Sequence, residues 1–347
     1  MNDISVIIPY HNEAKTLGRT LDLLAAQTMT AKEIFFIDSS STDDSSDVIQ
    51  NWLDKNDHNN KLQIFILDEG TTVPGSSMNV GIRRSSGNFL AFMDCGLLFE
   101  RDWIKSQMEF MDRHGSDLVS GFCFFQGKTL LDKSAVAQTY GYKRLRPTVP
   151  SSLVKKNVFD KTGLFLENRR AGHDVDWVNK LVSYNIRRDT NPEVTIQYNG
   201  FNYAKSTKDI FLKTIRYSEN AVGLHRYYSH HIYGFCLIFL SAILFLKLSD
   251  YQPIYFKNHI LYVLFDVLHK YSALNALILF FIFYLITRGY IMPLYKSRSL
   301  RIIFEHPLAL ISLPFIGFLM DLGKIIGYIK GVINFQKHFI SKFFLKK

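Results

Sequence analysis

The chain has 347 residues, enough for one large α/β domain and a smaller part, and its net charge is +10. Hydrophobic residues make up 47% and aromatic residues 14%, and they concentrate after about residue 230. The basic residues flank apolar segments, which points to a membrane surface and away from nucleic acid, and the three cysteines form no CxxC pair, which argues against a disulfide framework or zinc site.

The N-terminus, "MNDISVIIPYHNE", enters a strand at once, without the basic start and apolar core of a signal peptide, so the N-terminal domain is expected in the cytoplasm. "ISVIIPY" is a continuous apolar run, as for a strand buried on both faces. "EAKTLGRTLDLLAAQT" follows with helical period, and "EIFFID" is the next strand. "STDDSSDVIQNWLDK" opens with capping residues and continues as a helix. "LQIFIL", "SSMNVGIRRS" and "NFLAFMD" read as strand, short helix and strand.

This alternation predicts an α/β fold with a doubly wound, mostly parallel sheet, whose ligands bind outside the carboxyl ends of the strands. Those ends carry "PYHNE", "DSSSTDD" and "DCG". No GxGxxG follows the first strand, and neither a P-loop nor a GxSxG elbow is present.

The expected domains are 1–204, an amphipathic interfacial helix or linker at 205–229, and a helical membrane region at 230–347. In the linker, Ile210, Phe211, Ile215 and Ala221 recur at helical spacing among basic residues. Spans are expected at about 231–248 and 273–291, with the basic "YKSRSLR" placing the end of the second span inside. The apolar run from Pro307 is ended by Asp321 and Lys324, a length that suits a re-entrant or interfacial segment at about 307–329. Tyr255 to Leu268 is also apolar and leaves three or four spans open. The expected location is a multi-pass cell-membrane protein with its N-terminal domain and tail cytoplasmic.

The blocks "VIIPYHNEAKTLGRTLDLLAAQT", "FIDSSSTDDSSDVI" and "GSSMNVGIRRSSGNFLAFMDCG" together resemble the donor-binding half of the family 2 glycosyltransferases, and "AGHDVDW" resembles their acidic acceptor-site motif. The resemblance covers roughly residues 4–225 and implies a GT-A fold. It implies that Asp38 recognises the base or ribose, since a carboxylate accepts hydrogen bonds from N–H and O–H donors. The other reading of Asp38 is a turn or helix-capping acid. Pro9, Tyr10 and Glu13 would wrap the nucleotide, with Tyr10 against the base, and Asn79 would join the donor set.

Asp94 matches the first acid of the DxD signature, which implies a bound Mg2+ or Mn2+ offsetting the charge of the leaving diphosphate. The second acid is replaced by Gly96, and Cys95 is a poor ligand for either ion. One carboxylate with diphosphate oxygens could still hold the cation; alternatively Arg83 or Arg84 would neutralise the diphosphate.

Asp174 aligns with the catalytic aspartate, the base that takes the acceptor proton. His173 stands where the family usually has glutamate. Asp176 would orient the base or bind acceptor hydroxyls, and Trp177 would stack on a sugar or sit in the core. The implied function is inverting transfer from a nucleoside-diphosphate sugar to a membrane-associated acceptor, such as a lipid-linked saccharide, a polyprenyl phosphate or a cell-surface polysaccharide precursor. The alternative is an inactive relative that binds nucleotide sugar or scaffolds an assembly.

Overall fold

The structure is a computed structural model and describes residues 3–56, 62–68, 70, 73–141, 146–147, 149–167, 169–201, 206–224, 273–299 and 301–344. The chain divides into two compact units. The first comprises Met1–Val136, Tyr140–Lys205 and Gly223–His225; the second comprises Ala137–Thr139, Ser206–Val222 and Arg226–Lys347.

The first unit begins with β1 (Ile4–Tyr10), α1 (Ala14–Ala25), β2 (Glu33–Asp38), α2 (Ser45–Asn56), β3 (Gln63–Asp68), α3 (Pro74–Arg84) and β4 (Phe89–Phe92). It continues through β5 (Leu97–Leu98), α4 (Trp103–His114), β6 (Leu118–Gly127), α5 (Leu130–Gln138), β7 (Arg146–Pro147), β8 (Leu153–Lys155), α6 (Val158–Thr162), α7 (His173–Ser183) and β9 (Arg188–Phe201). The sheet order is β3-β2-β1-β4-β8-β6-β9-β5, with β7 on β6. From β3 to β4 every pairing is parallel, as the alternation predicts. Beyond β4 the sheet is mixed: β8 pairs antiparallel with β4 and β6, β9 runs parallel to β6, and β5 closes antiparallel on β9.

Alternate residues of each strand feed opposite faces, which gives two cores. Val6, Ile8, Phe36, Leu17 and Leu21 pack on one face; Ile7, Phe35, Ile37, Met78 and Phe92 pack on the other. Truncating such a side chain, for instance Ile7→Ala, costs about 2–5 kcal/mol. Gly81 lets α3 lie directly on β1, since a Cβ there would stand 2.6 Å from Ile7 Cγ2. This packing aligns the ends of β1, β2, β3 and β4 along one rim.

The second unit contains α8 (Thr207–Ala221), α9 (Ala273–Ile286), a π-turn (Thr287–Ile291), α10 (Met292–Ser297), α11 (Arg301–Glu305) and α12 (Ala309–Phe344). The stretch expected at about 307–329 lies in one helix of 36 residues, which runs on past Asp321 and Lys324. The charges expected to end the apolar run turn sideways into partners. Asp321 accepts from Arg288 Nε at 2.7 Å, Tyr284 Oη at 2.9 Å and Lys324 Nζ at 2.9 Å. Gln138, also in this unit, accepts from Arg288 and donates to the Arg288 and Leu313 carbonyls at 2.9 and 2.7 Å.

Among the described residues one helix, Ala309–Asn334, is long and apolar enough by composition to cross a membrane. The expected second span at 273–291 falls in α9 and the π-turn that carries the helix on into α10; with Ala309–Asn334 the one candidate among the described residues, the multi-pass expectation is not supported. The expected first span at 231–248 and the run from 255 to 268 lie outside the described residues.

Candidate active site

The loops after β1 and β2 are joined side by side. His11 Nδ1 donates to the Ser39 carbonyl at 2.8 Å, which fixes its proton on that nitrogen. The Asn12 N–H donates to Ser41 Oγ at 3.0 Å, the Thr42 N–H to Asn12 Oδ1 at 2.7 Å, and the Glu13 N–H to Ser45 Oγ at 2.8 Å. Asn12 (φ 58°) and Ser40 (φ 60°) both hold left-handed backbone, a conformation non-glycine residues keep when neighbouring contacts enforce it.

Asp38 ends β2 beside this seam. Its Oδ1 accepts from the Ser41 N–H at 2.9 Å, and Oδ2 lies 3.5 Å from Ser46 Oγ. Its ladder partner is Asp68, an exposed carboxylate at the end of β3. Pro9 is half-buried opposite Ile37. Glu13, at the start of α1, accepts from Thr16 Oγ1 at 2.5 Å; burial raises its pKa and the Thr16 hydrogen bond opposes that.

Asp94 stands just past β4. The residue is half-buried. Tyr198 Oη donates to Asp94 Oδ2 at 3.0 Å. Burial pushes the Asp94 pKa up to about 6; the Tyr198 hydrogen bond opposes this, and the negative charges of Asp174 and Glu13 add to it. These three acids, far apart in the chain, are therefore electrostatic neighbours. Asp38 belongs to the same rim, because it, Asp68 and Cys95 all act on the Tyr10 phenol.

Gly96 has φ +78°, and a Cβ there would lie 3.3 Å from Thr16 Cγ2. The position that would hold a second acid is thus left-handed and covered by α1. Its N–H donates to Thr20 Oγ1 at 3.2 Å.

The first turn of α7 carries His173, Asp174 and Asp176. Asp174 is exposed. Beside it, His173 is edge-on to Phe165 at 6.1 Å; burial lowers its pKa against the pull of Asp174, so the ring is neutral at neutral pH. Its Nδ1 is buried without a hydrogen-bond partner. Asp176 pairs with Lys180 at 2.8 Å, which occupies one oxygen of the expected acceptor ligand.

Three expectations are corrected. Tyr10 is not available to lie against a base: it is 2% exposed, packs edge-on to Phe36, and bonds Ser46 Oγ at 3.0 Å. Trp177 has no free face for a sugar: it is 1% exposed among Phe92, Phe159 and Phe165, and Nε1 donates to Thr162 Oγ1 at 3.1 Å. Asn79 is fully buried and engaged at both ends of its amide. It donates to the Phe165 carbonyl and Glu167 Oε1, both at 2.9 Å, and accepts from the Phe165 N–H at 3.0 Å. It therefore clamps the loop before α7 and is not a donor ligand. Arg83 is held by Glu167, and Arg83 and Arg84 end α3, whose other end faces the rim, so neither is placed to meet a diphosphate.

Sequence reasoning missed Tyr198, Asp68 and Thr16. Asp68 was visible as an acid closing a strand. Tyr198 carried no local signal, because β9 brings it to Asp94 across 104 residues.

A mixed sheet of this order, with carboxylates gathered at the ends of β2 and β4 and at a helix start, is a GT-A-like fold. Residues 5–170 match the family model described as glycosyl transferase family 2. This match, to just under half of the chain, is a likeness of the N-terminal domain to that family.

The chain is 27% identical over 190 residues to Glycosyltransferase AglE of Haloferax volcanii, a match covering 51% of this chain and 60% of that one. It is 28% identical over 121 residues to the poly(ribitol-phosphate) beta-N-acetylglucosaminyltransferase TarS of Staphylococcus aureus, covering 34% of this chain and 20% of that one. The matches thus span from a fifth to three fifths of those relatives. In fold it is similar to the mannosyltransferase PcManGT of Pyrobaculum calidifontis, solved with GDP-Man and Mn2+. The TM-score is 0.54 at 14% identity, over 93% of this chain and 87% of that one.

Proposed function

We propose that the chain is an inverting glycosyltransferase that moves a sugar from a nucleoside diphosphate to a membrane-associated acceptor. The observation that carries this reading is the pairing of an exposed carboxylate, Asp174, with the recessed Asp94 on the rim that also holds Asp38. Asp38 would accept hydrogen bonds from the base or ribose. Asp94 faces the diphosphate, and Asp174 faces the acceptor. The acceptor oxygen attacks the anomeric carbon as the bond from that carbon to the diphosphate oxygen breaks. Asp174 takes the proton, and the nucleoside diphosphate leaves with the electron pair.

A divalent cation fits these residues in part. Asp94 offers one carboxylate, Gly96 offers none, and no group of three His, Cys, Asp or Glu side chains converges among the described residues. A Mg2+ or Mn2+ ion would be held by Asp94 together with donor oxygens, and its chemistry would be to offset diphosphate charge. The acidic rim favours that arrangement, because a carboxylate alone repels a diphosphate.

A membrane-associated acceptor, a lipid-linked saccharide or polysaccharide precursor, is supported by the apolar α12 and the basic tail. The test is transfer or donor hydrolysis across a panel of UDP-, GDP- and dTDP-sugars. Wild-type protein should release nucleoside diphosphate from one of them, and Asp174→Asn should lower kcat by about 10²-fold or more while donor binding persists. Binding without turnover in wild type would favour the inactive nucleotide-sugar-binding or scaffolding relative.

A further inference from the structure

One residue fastens both ends of the turn that carries Asp94. Asp94, Cys95 and Gly96 lead directly into β5. At the start of the turn, Tyr198 Oη donates to Asp94 Oδ2 at 3.0 Å. At its end, Leu97 is the antiparallel ladder partner of Tyr198. The turn is also pinned to α1, through the Gly96 N–H on Thr20 Oγ1 at 3.2 Å.

Tyr198 is held firmly in its own right. In β9 it pairs in register with Phe125 of β6, and the two rings stack with centroids 5.0 Å apart and planes 13° apart. Tyr140 stacks on Phe125 as well, at 4.1 Å.

The stack and the ladder use only the ring and the backbone, and phenylalanine would supply both. The hydroxyl is explained by what it touches. With the backbone of the turn pinned, the freedom left to Asp94 is in its side chain, and the last torsion of an aspartate is broad. A hydrogen bond from a fixed ring to Oδ2 stops that rotation, and bonds to a carboxylate are among the stronger ones. Oδ1 accepts no hydrogen bond from the described residues.

Two acids could share the work of holding a cation against the donor. With Gly96 in the second place, the aim of one carboxylate decides where positive charge is held.

We propose that Tyr198 is a positioning residue of the donor site: its hydroxyl holds Asp94 Oδ2, so that Oδ1 is the oxygen offered to the cation and diphosphate of the donor. This rests on the reading above, in which Asp94 faces the diphosphate, and adds the group that aims it.

The experiment is a double-mutant cycle on the full chain. Wild type, Tyr198→Phe, Asp94→Asn and the double variant are titrated by calorimetry at pH 7.5 with Mn2+ and whichever of UDP, GDP and dTDP wild type binds. Tyr198→Phe should lose about tenfold in affinity when Asp94 is present, and less than about twofold in the Asp94→Asn background. Wild-type affinity in Tyr198→Phe, or an equal loss in both backgrounds, overturns the proposal, because Tyr198 then does not act through Asp94.

Asp94→Glu tests the same role without touching Tyr198. It keeps the charge and carries the carboxyl one methylene away from the place where the phenol holds it. Affinity should fall here too, and wild-type affinity in Asp94→Glu overturns the proposal even where Tyr198→Phe does not fold. Wild type that binds none of the three nucleotides, or that binds as well after Asp94→Asn, overturns the donor-site reading and this proposal together. A loss in Asp94→Asn with none in Tyr198→Phe overturns this proposal alone.

Discussion

Burial, with Asp174 and Glu13 nearby, pushes the Asp94 carboxyl from 3.8 to about 6, against the Tyr198 hydrogen bond. The native chain therefore holds this proton more tightly than the unfolded chain. Its favourable contribution is present below about pH 4 and is lost as the pH rises through about 6. At pH 8 the ionised carboxylate costs stability, so Asp94→Asn should stabilise the ligand-free protein by about 1–3 kcal/mol, a range discounted for the remaining solvent contact. Thermal melts at pH 8 and pH 4 check this: the gain should be present at the first and absent at the second. The same titration predicts that donor affinity falls as the pH drops through about 6.

Gly96 supplies a second residue-scale prediction. Gly96→Asp writes the missing acid back into the sequence, but the left-handed backbone and Thr16 oppose it. Stability should fall by about 1–2 kcal/mol, with no gain in Mn2+ affinity by calorimetry. In the sequence Gly96 reads as a lost ligand; the contact with α1 that makes glycine fit there depends on tertiary packing.

At the scale of elements, the loop before α7 depends on α3. Asn79→Ala would strand the Phe165 N–H and carbonyl in a buried place and leave Glu167 with its Arg83 ion pair but without the Asn79 hydrogen bond. The expected loss is about 2–4 kcal/mol in denaturant melts, with activity falling because Asp174 loses its support. Were Asn79 a donor ligand instead, donor affinity would fall with stability unchanged. The parallel elements β1 to β4 were legible because each strand is a continuous apolar run and each helix shows its period. The antiparallel return through β8, β6 and β9 was not, since its partners are set by long-range pairing. The same limit explains α12: Asp321 and Lys324 look like an end until Arg288 and Tyr284 are seen beside them.

For the whole molecule, three acids spaced along some 140 residues matter together only through the fold. The sequence located Asp38, Asp94 and Asp174 by register with a family pattern, and each also sits where local rules put ordinary turn or helix-start acids. Tyr10, Asn79 and Trp177 fell to the core because motif position does not say which way a side chain points. The most direct measurement is nucleoside-diphosphate binding by calorimetry at pH 7.5 with Mn2+, using wild type, Asp38→Ala, Asp94→Asn and Asp174→Asn. Asp38→Ala and Asp94→Asn should each lose at least about tenfold in affinity, or about 1.4 kcal/mol, while Asp174→Asn binds as wild type does. Binding that survives both Asp38→Ala and Asp94→Asn would contradict this.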